Sequence, residues 1–269
     1  MQDNNPNEDL QITDGLEENS DLENEDGLQQ LVEWAIGGFI GLCVVCFFLA
    51  LLPSNTTPAE HIHRTECLNN LRQISLAMQN YAHENMHFPP AYIADETGKP
   101  IHSWRVLLLP HLGSEDLFMR YSFDEPWNGP NNSKLHDEVV SVYQCPSASR
   151  GEQGSNSNYV LTTGKGTAFD GGHETTGAEV VDGLSNTVLV VEVPNSNTHW
   201  MEPVDLPLDE ALARFSDPDK AEQCCNHPGT FNISLMDGST HSIGFPISAE
   251  NLKALITIDG GEIVNIEDL

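Results

Sequence analysis

Six cysteines and eleven histidines are the side chains of this 269-residue chain best suited to chemistry. Cys67, Cys145, Cys224 and Cys225 lie in its polar part, while Cys43 and Cys46 sit in an apolar run, one helical turn apart, and read as lipid-facing or packing thiols. Cys224 and Cys225 are poor partners for each other, because a bridge between adjacent residues closes a strained ring. The Cys224-Cys225-x-His227 and His61-x-His63 groupings offer thiolate and imidazole donors, the usual ligands of zinc and copper, at spacings unlike those of a zinc finger. The competing reading makes His227 a loop-fixing hydrogen-bonding residue, with Asp237-Gly238 shaping a hairpin next to it. In FDGGHETTGAEVVDG, Asp170, Glu174, Glu179 and Asp182 supply hard oxygen ligands for calcium outside the EF-hand register; the alternative is a solvated acidic loop. No GxSxG, HExxH, P-loop or dinucleotide fingerprint is present, and the GKGT stretch at 164–167 lacks the Walker spacing. Nothing in these motifs identifies an enzyme or requires a cofactor.

Few regular elements are available to position these groups. Ile62, Leu68, Leu71, Ile74, Met78, Tyr81 and Ala82 recur mostly at three- and four-residue spacing, which predicts an amphipathic helix from about Pro58 to Met86, ended by Pro89-Pro90. Shorter helical stretches are expected at Trp104–Leu112 and Ser114–Tyr121. Beyond residue 140 the runs SNYVLTT, NTVLVVEV, TFNISLMDG and THSIGF alternate with Gly, Asn, Asp and Pro clusters, as strands joined by turns do. The pattern predicts an α+β fold in which the amphipathic helix packs on an antiparallel β-sheet with long loops.

Charge and hydropathy divide the chain further. The net charge of −30, from 41 acidic and 11 basic side chains, repels phosphate backbones and excludes nucleic acid as a partner. Residues 1–33 carry eleven Asp and Glu and no Lys or Arg, and residues 1–30 bury too little apolar surface to order themselves, so a disordered acidic tail is expected there. Trp34 to Leu52 is a run of nineteen uncharged residues, long enough for a helix to span a bilayer, which predicts a single-pass transmembrane helix over 31–53 and a linker over 54–60. It is longer than a signal-peptide core and follows acid rather than a basic patch. Arg64 and Arg72, both after the span, taken alone would place the N-terminus outside.

The ECLNNLRQISLAMQNYAHENMHFPPAY block resembles the opening of the domain of unknown function 1559 family, expanded in planctomycete bacteria, pilin- or pseudopilin-like and formerly grouped with solute-binding proteins. Matching blocks follow in order: HSWRVLLLPHLGSEDLF, QCPS, SNY, DGLSNTVLVVE with Asp182, Gly183 and Asn186, and HPGTFNISLMDGS, where His227 precedes Asp237-Gly238 by ten residues. The resemblance implies a pilin-like domain over 61–250 followed by a C-terminal segment, 251–269, and a structural motif at Asp182, Gly183, Asn186, His227, Asp237 and Gly238. It also implies an extracytoplasmic domain, against the direction of the two arginines. In that oxidising setting a Cys67–Cys145 bridge would pin the helix to the sheet, and free buried thiols are the other reading. Relatives begin with a pilin-type leader. Here Glu33 falls one residue late after Gly27 and the tail is acidic, so the chain is expected to stay unprocessed and not to form fibres. The functional expectation is a non-catalytic, membrane-anchored envelope protein acting in structure, assembly or recognition, with the membrane and other envelope or secretion-system proteins as partners. The alternative is a solute- or ligand-binding module at the cell envelope.

Overall fold

The computed structural model describes residues 34–36, 38, 39, 42, 58–148, 154–194, 196–262 and 264–269. The chain divides into two units, Met1–Asn55 and Thr56–Leu269. In the first, Trp34, Ala35, Ile36, Gly38, Phe39 and Leu42 are helical, and the large apolar side chains among them are exposed. The acidic tail and the rest of the expected membrane span, with Cys43 and Cys46, lie outside the described residues. No helix among the described residues is long and apolar enough to cross a membrane.

The second unit is built on helix α1, Pro58–Asn85. Pro58 occupies its first position, where a missing N–H costs nothing and the fixed φ suits a helix. Cys67, Leu71, Ile74, Ser75 and Met78 are fully buried and recur at helical spacing, so they form the stripe that meets the sheet. The stripe starts later than the sequence pattern suggests, since Ile62 is 59% exposed. Met86, at φ 69°, closes the helix with its N–H on the Ala82 carbonyl, and Pro89-Pro90 follow.

Next come a hairpin that the strand pattern does not signal, β1 (Tyr92–Ala94) with β2 (Pro100–Ser103), and helix α2 (Trp104–Leu107). The helix expected over Trp104–Leu112 is split: α2 is followed by a separate 3-10 turn at Leu109–Leu112 with Pro110 near its start. Helix α3 spans Glu115–Arg120. The strands β3 (Tyr159–Val160), β4 (Thr162–Thr163), β5 (Val188–Glu192), β6 (Leu206–Pro207), β7 (Thr230–Leu235) and β8 (Thr240–Gly244) follow, interleaved with helices α4 (Leu208–Phe215), α5 (Ala221–Cys224) and α6 (Ala249–Ile256). Four strands form an antiparallel sheet in the order β3-β5-β7-β8. The short pair β4–β6 is parallel, an exception to the expected all-antiparallel arrangement.

Both faces of the main sheet are covered. Leu71, Ile74 and Met78 of α1 share one core with Trp104, Tyr159, Val190 and Met236. Val191, Phe231 and Ile233 share the other with Phe215 of α4 and Leu252, Leu255 and Ile256 of α6. The side chains of β5 are shared between the two cores, Leu189 and Val190 entering the first and Val188 and Val191 the second, with a register shift between Val188 and Val190 interrupting strict alternation, so VLVVE is buried along its whole length. Within the expected C-terminal segment, 251–269, the side chains of α6 fill the second core and the Leu269 carbonyl accepts the Gly244 N–H at 2.9 Å.

A buried disulfide beside a carboxylate–histidine–carboxylate chain

Cys67, on the buried stripe of α1, and Cys145, in the loop after a 3-10 turn at Ser141–Tyr143, are joined by a disulfide with a Cα–Cα separation of 5.4 Å. Both are fully buried. Asn158 seats the second cysteine, its Oδ1 accepting the Cys145 N–H at 2.9 Å and its Nδ2 donating to the Val193 carbonyl at 3.3 Å. Asn70 donates to the Gln144 carbonyl at 2.9 Å, so helix and loop are held on both sides of the bridge. A cross-link over 78 residues restricts the unfolded chain enough to add about 4 kcal/mol of stability in the chain-entropy picture.

Against this bridge lies His227, in the turn between α5 and β7, with its ring wholly buried. Its Nδ1 is 2.5 Å from Glu60 Oε1, its Nε2 is 3.3 Å from Glu192 Oε1, and Nε2 lies 3.9 Å from Cys145 Sγ. Glu60 belongs to the first turn of α1 and Glu192 to the end of β5, so the imidazole joins helix to sheet. A buried carboxylate is costly unless every oxygen has a partner. Glu192 meets that demand: Oε1 accepts from Asn226 Nδ2 at 2.8 Å and Oε2 from Asn232 Nδ2 at 2.7 Å. Asn232 Oδ1 in turn accepts the Ser242 hydroxyl at 2.6 Å, which extends the network across β5, β7 and β8. Burial by itself would lower the His227 pKa, but the hydrogen bond and charge of Glu192, and then those of Glu60, outweigh it and raise the pKa. The ring can therefore act as an imidazolium that donates to both carboxylates.

Sequence neighbours and spatial neighbours differ here. The Cys224-Cys225-x-His227 grouping does not converge: Cys224 Sγ, at the end of α5, donates to the Arg214 carbonyl at 3.1 Å on the second-core side. Burial pushes the Cys224 thiol up to about 11 and, with Cys224 and Glu192 adding to it, the Cys225 thiol up to about 12, so both stay protonated. His61 is exposed on α1 and His63 half-buried. The cysteines that approach His227 come instead from residues 67 and 145. Cys67, Cys145, Glu192 and His227 bring one ligand-type atom each within 4.8 Å of the others, a convergence that sequence spacing could not show. Glu192 carried a readable signal, a lone carboxylate inside the apolar run VLVVEV, whereas Glu60 gave none.

His227 and Asp237-Gly238 stand at opposite ends of β7, so the hairpin turn is not beside the histidine as expected. At that turn Asp237 Oδ1 accepts from the Ser239 N–H and hydroxyl, Gly238 adopts φ 89°, and Gln79 Nε2 of α1 donates to the Met236 carbonyl at 3.3 Å. Asp182, Gly183 and Asn186 make a second turn, in which Asn186 Nδ2 donates to the Asp182 carbonyl and the Asp182 carboxylate accepts the N–H groups of Gly260 and Gly261, both at 2.8 Å.

The four acidic residues considered for calcium are engaged separately. Glu179 accepts from the Thr176 N–H at 2.7 Å and hydroxyl at 2.8 Å and pairs with His173, contacts that bring its pKa down to about 2. Glu174 pairs with His87 at 3.4 Å, Asp182 holds the glycines just described, and Asp170 is exposed. These four form no convergent ligand group among the described residues.

A second buried polar centre fixes α2. Arg105 Nη2 donates to Asp205 Oδ1 at 2.7 Å and to the Tyr159 carbonyl at 2.8 Å, and the guanidinium lies 4.6 Å over the Trp104 ring. Asp205 also accepts the Trp104 Nε1–H and the Leu161 N–H. Burial outweighs these partners and leaves the Asp205 carboxyl above its ordinary range.

Together these features define an α+β domain whose long helix is held to a double-faced sheet by a buried disulfide and a Glu–His–Glu chain. A family model described as "Protein of unknown function (DUF1559)" matches residues 63–214, more than half of the chain, and the protein belongs to that family. No curated protein and no solved structure matches it.

Proposed function

We propose that this protein is a non-catalytic, single-pass membrane-anchored envelope protein whose pilin-like domain faces outside the cytoplasm and serves structure, assembly or recognition. The observation that carries the reading is the buried Cys67–Cys145 bridge, since disulfides persist in oxidising compartments and are rare in reducing ones. The uncharged run Trp34–Leu52, with exposed helical Trp34, Ile36 and Phe39 at its start, supports the anchor. The long α1 laid on an antiparallel sheet supports the pilin likeness. The test is differential alkylation of whole cells: free thiols are blocked under denaturing conditions, then the protein is reduced and relabelled. Cys67 and Cys145 should take label only after reduction. Blocking of both in the first step, together with activity of a cytoplasm-only reporter fused after Leu269, would reverse the assignment.

The second reading, a ligand-binding module, draws on a groove of about 440 Å³ at the C-terminal end of α1, lined by Gln79, His83, Met86, Leu184 and Met236. Its size falls in the range of small-molecule sites. Co-purification of a small molecule from the native envelope, lost on Met86→Lys, would favour it over assembly.

A further inference from the structure

The disulfide and the Glu–His–Glu chain occupy one buried pocket, and their heavy atoms are arranged as a ligand shell. In a four-coordinate zinc site, Zn–S bonds of about 2.3 Å and Zn–N and Zn–O bonds of about 2.1 Å set the separations between ligand atoms: about 3.4 Å for nitrogen to oxygen, about 3.6 Å for nitrogen to sulfur and about 3.8 Å between sulfurs. His227 Nε2 and Glu192 Oε1 are already 3.3 Å apart, and His227 Nε2 and Cys145 Sγ 3.9 Å apart. The ligand-type atoms of Cys67, Cys145, Glu192 and His227 all lie within 4.8 Å of one another, the bonded sulfurs have to move apart, and breaking the disulfide frees both cysteine side chains to rotate about Cα–Cβ.

The surroundings of the ligands match as well. Glu60 Oε1 sits on His227 Nδ1, where it fixes the ring and leaves Nε2 to face inward, the carboxylate–histidine arrangement that supports metal-bound imidazoles. Asn226 and Asn232 hold the Glu192 carboxylate in place from outside the cluster. The Glu60 side chain is 19% exposed, which opens the cluster towards solvent on the Nδ1 side.

We propose that reduction of the Cys67–Cys145 disulfide converts this pocket into a zinc site with Cys67 Sγ, Cys145 Sγ, His227 Nε2 and Glu192 Oε1 as ligands. The pocket holds either a disulfide or a divalent metal. In the reducing direction a dithiol or phosphine reductant supplies two electrons, the S–S bond breaks, and each cysteine sulfur gains a proton while the reductant is oxidised. Zinc binding then releases the two thiol protons and any proton on His227 Nε2. The inference goes beyond the envelope reading and does not depend on it, because the pocket is tested in the purified chain.

The experiment uses full-length protein in mild detergent carrying Cys43→Ser, Cys46→Ser, Cys224→Ser and Cys225→Ser, which leaves Cys67 and Cys145 as the only cysteines, with cobalt(II) as the spectroscopic probe. Before reduction, cobalt should give no thiolate charge-transfer absorption. After reduction with a phosphine, one equivalent should give that absorption and tetrahedral d–d bands, and zinc should displace both. Cys67→Ser should abolish the charge-transfer pattern of a two-thiolate site, and Glu60→Gln should weaken cobalt affinity by about tenfold while keeping the spectrum. The proposal is overturned by reduced protein with native far-ultraviolet circular dichroism and no cobalt spectrum, by an unchanged spectrum in Cys67→Ser, or by a reduced chain that unfolds and is not restored by zinc.

Discussion

At the scale of single residues, polar groups carry unusual weight because so many are buried together. Asp205 is the acceptor for Arg105, Trp104 Nε1 and the Leu161 N–H, so changing it leaves a guanidinium in the core without its counter-charge. Asp205→Asn is expected to cost about 3 kcal/mol in urea unfolding, and Arg105→Met combined with it should recover part of that loss, because the stranded charge is gone. A double mutant as damaged as the two single changes added together would mean the pair is not coupled. His102 gives a pH prediction. Its Nε2 faces the Phe123 carbonyl at 3.2 Å and its Nδ1 the Tyr121 hydroxyl at 2.7 Å, contacts that a neutral ring satisfies with the proton on Nε2. Burial, only partly offset by the Phe123 hydrogen bond, lowers its pKa. The unfolded chain therefore binds the proton first as pH falls, and stability drops as pH decreases through the ordinary histidine value of about 6.5 towards the lower folded value. The difference in urea midpoint between wild type and His102→Gln should narrow over that interval, and a constant difference would count against this account.

Elements depend on how turns meet the helix. The β7–β8 turn is pressed on α1: a Cβ on Gly238 would come within 2.8 Å of Gln79 Nε2, and the φ of 89° is one that side chains disfavour. Gly238→Ala should cost about 1–3 kcal/mol. Adding Gln79→Ala should return only the contact part, since the backbone penalty remains, and complete rescue in thermal unfolding would show that contact alone fixes the glycine. The hairpin was legible from Met236-Asp237-Gly238-Ser239 between two strand-like runs. Helices α4 and α6, which the strand and turn pattern does not include, nonetheless carry local signals. LDEALARF places Leu208, Ala211, Leu212 and Phe215 on one face, and Ser248 caps α6 through the Asn251 N–H at 3.1 Å.

For the whole molecule, the acidic excess and the uncharged run set the expected behaviour. The full-length chain should stay with membranes through carbonate washing, because a span the length of Trp34–Leu52 partitions into hydrocarbon, whereas a chain starting near Pro58 should be released. Immunoblots of the washed pellet decide this, and recovery of the full-length chain in the supernatant would remove the anchor. Globular-domain stability is a separate matter, resting on two cores that share one sheet.

The sequence by itself determined the helix on the antiparallel sheet, the main strands and the family, because periodicity and turn chemistry are local properties of the chain. It also singled out Cys67, Cys145 and His227. Only the tertiary structure decided what they meet. Glu60 and His227 are 167 positions apart and Cys67 and Cys145 are 78 apart. Their approach follows from how α1 lies across β5 and β7, and no local pattern encodes that crossing. The same holds for Cys224 and His227, three positions apart: Cys224 ends α5 and packs with Cys225 in the second core, whereas His227, beyond the helix, meets Glu60 and Glu192.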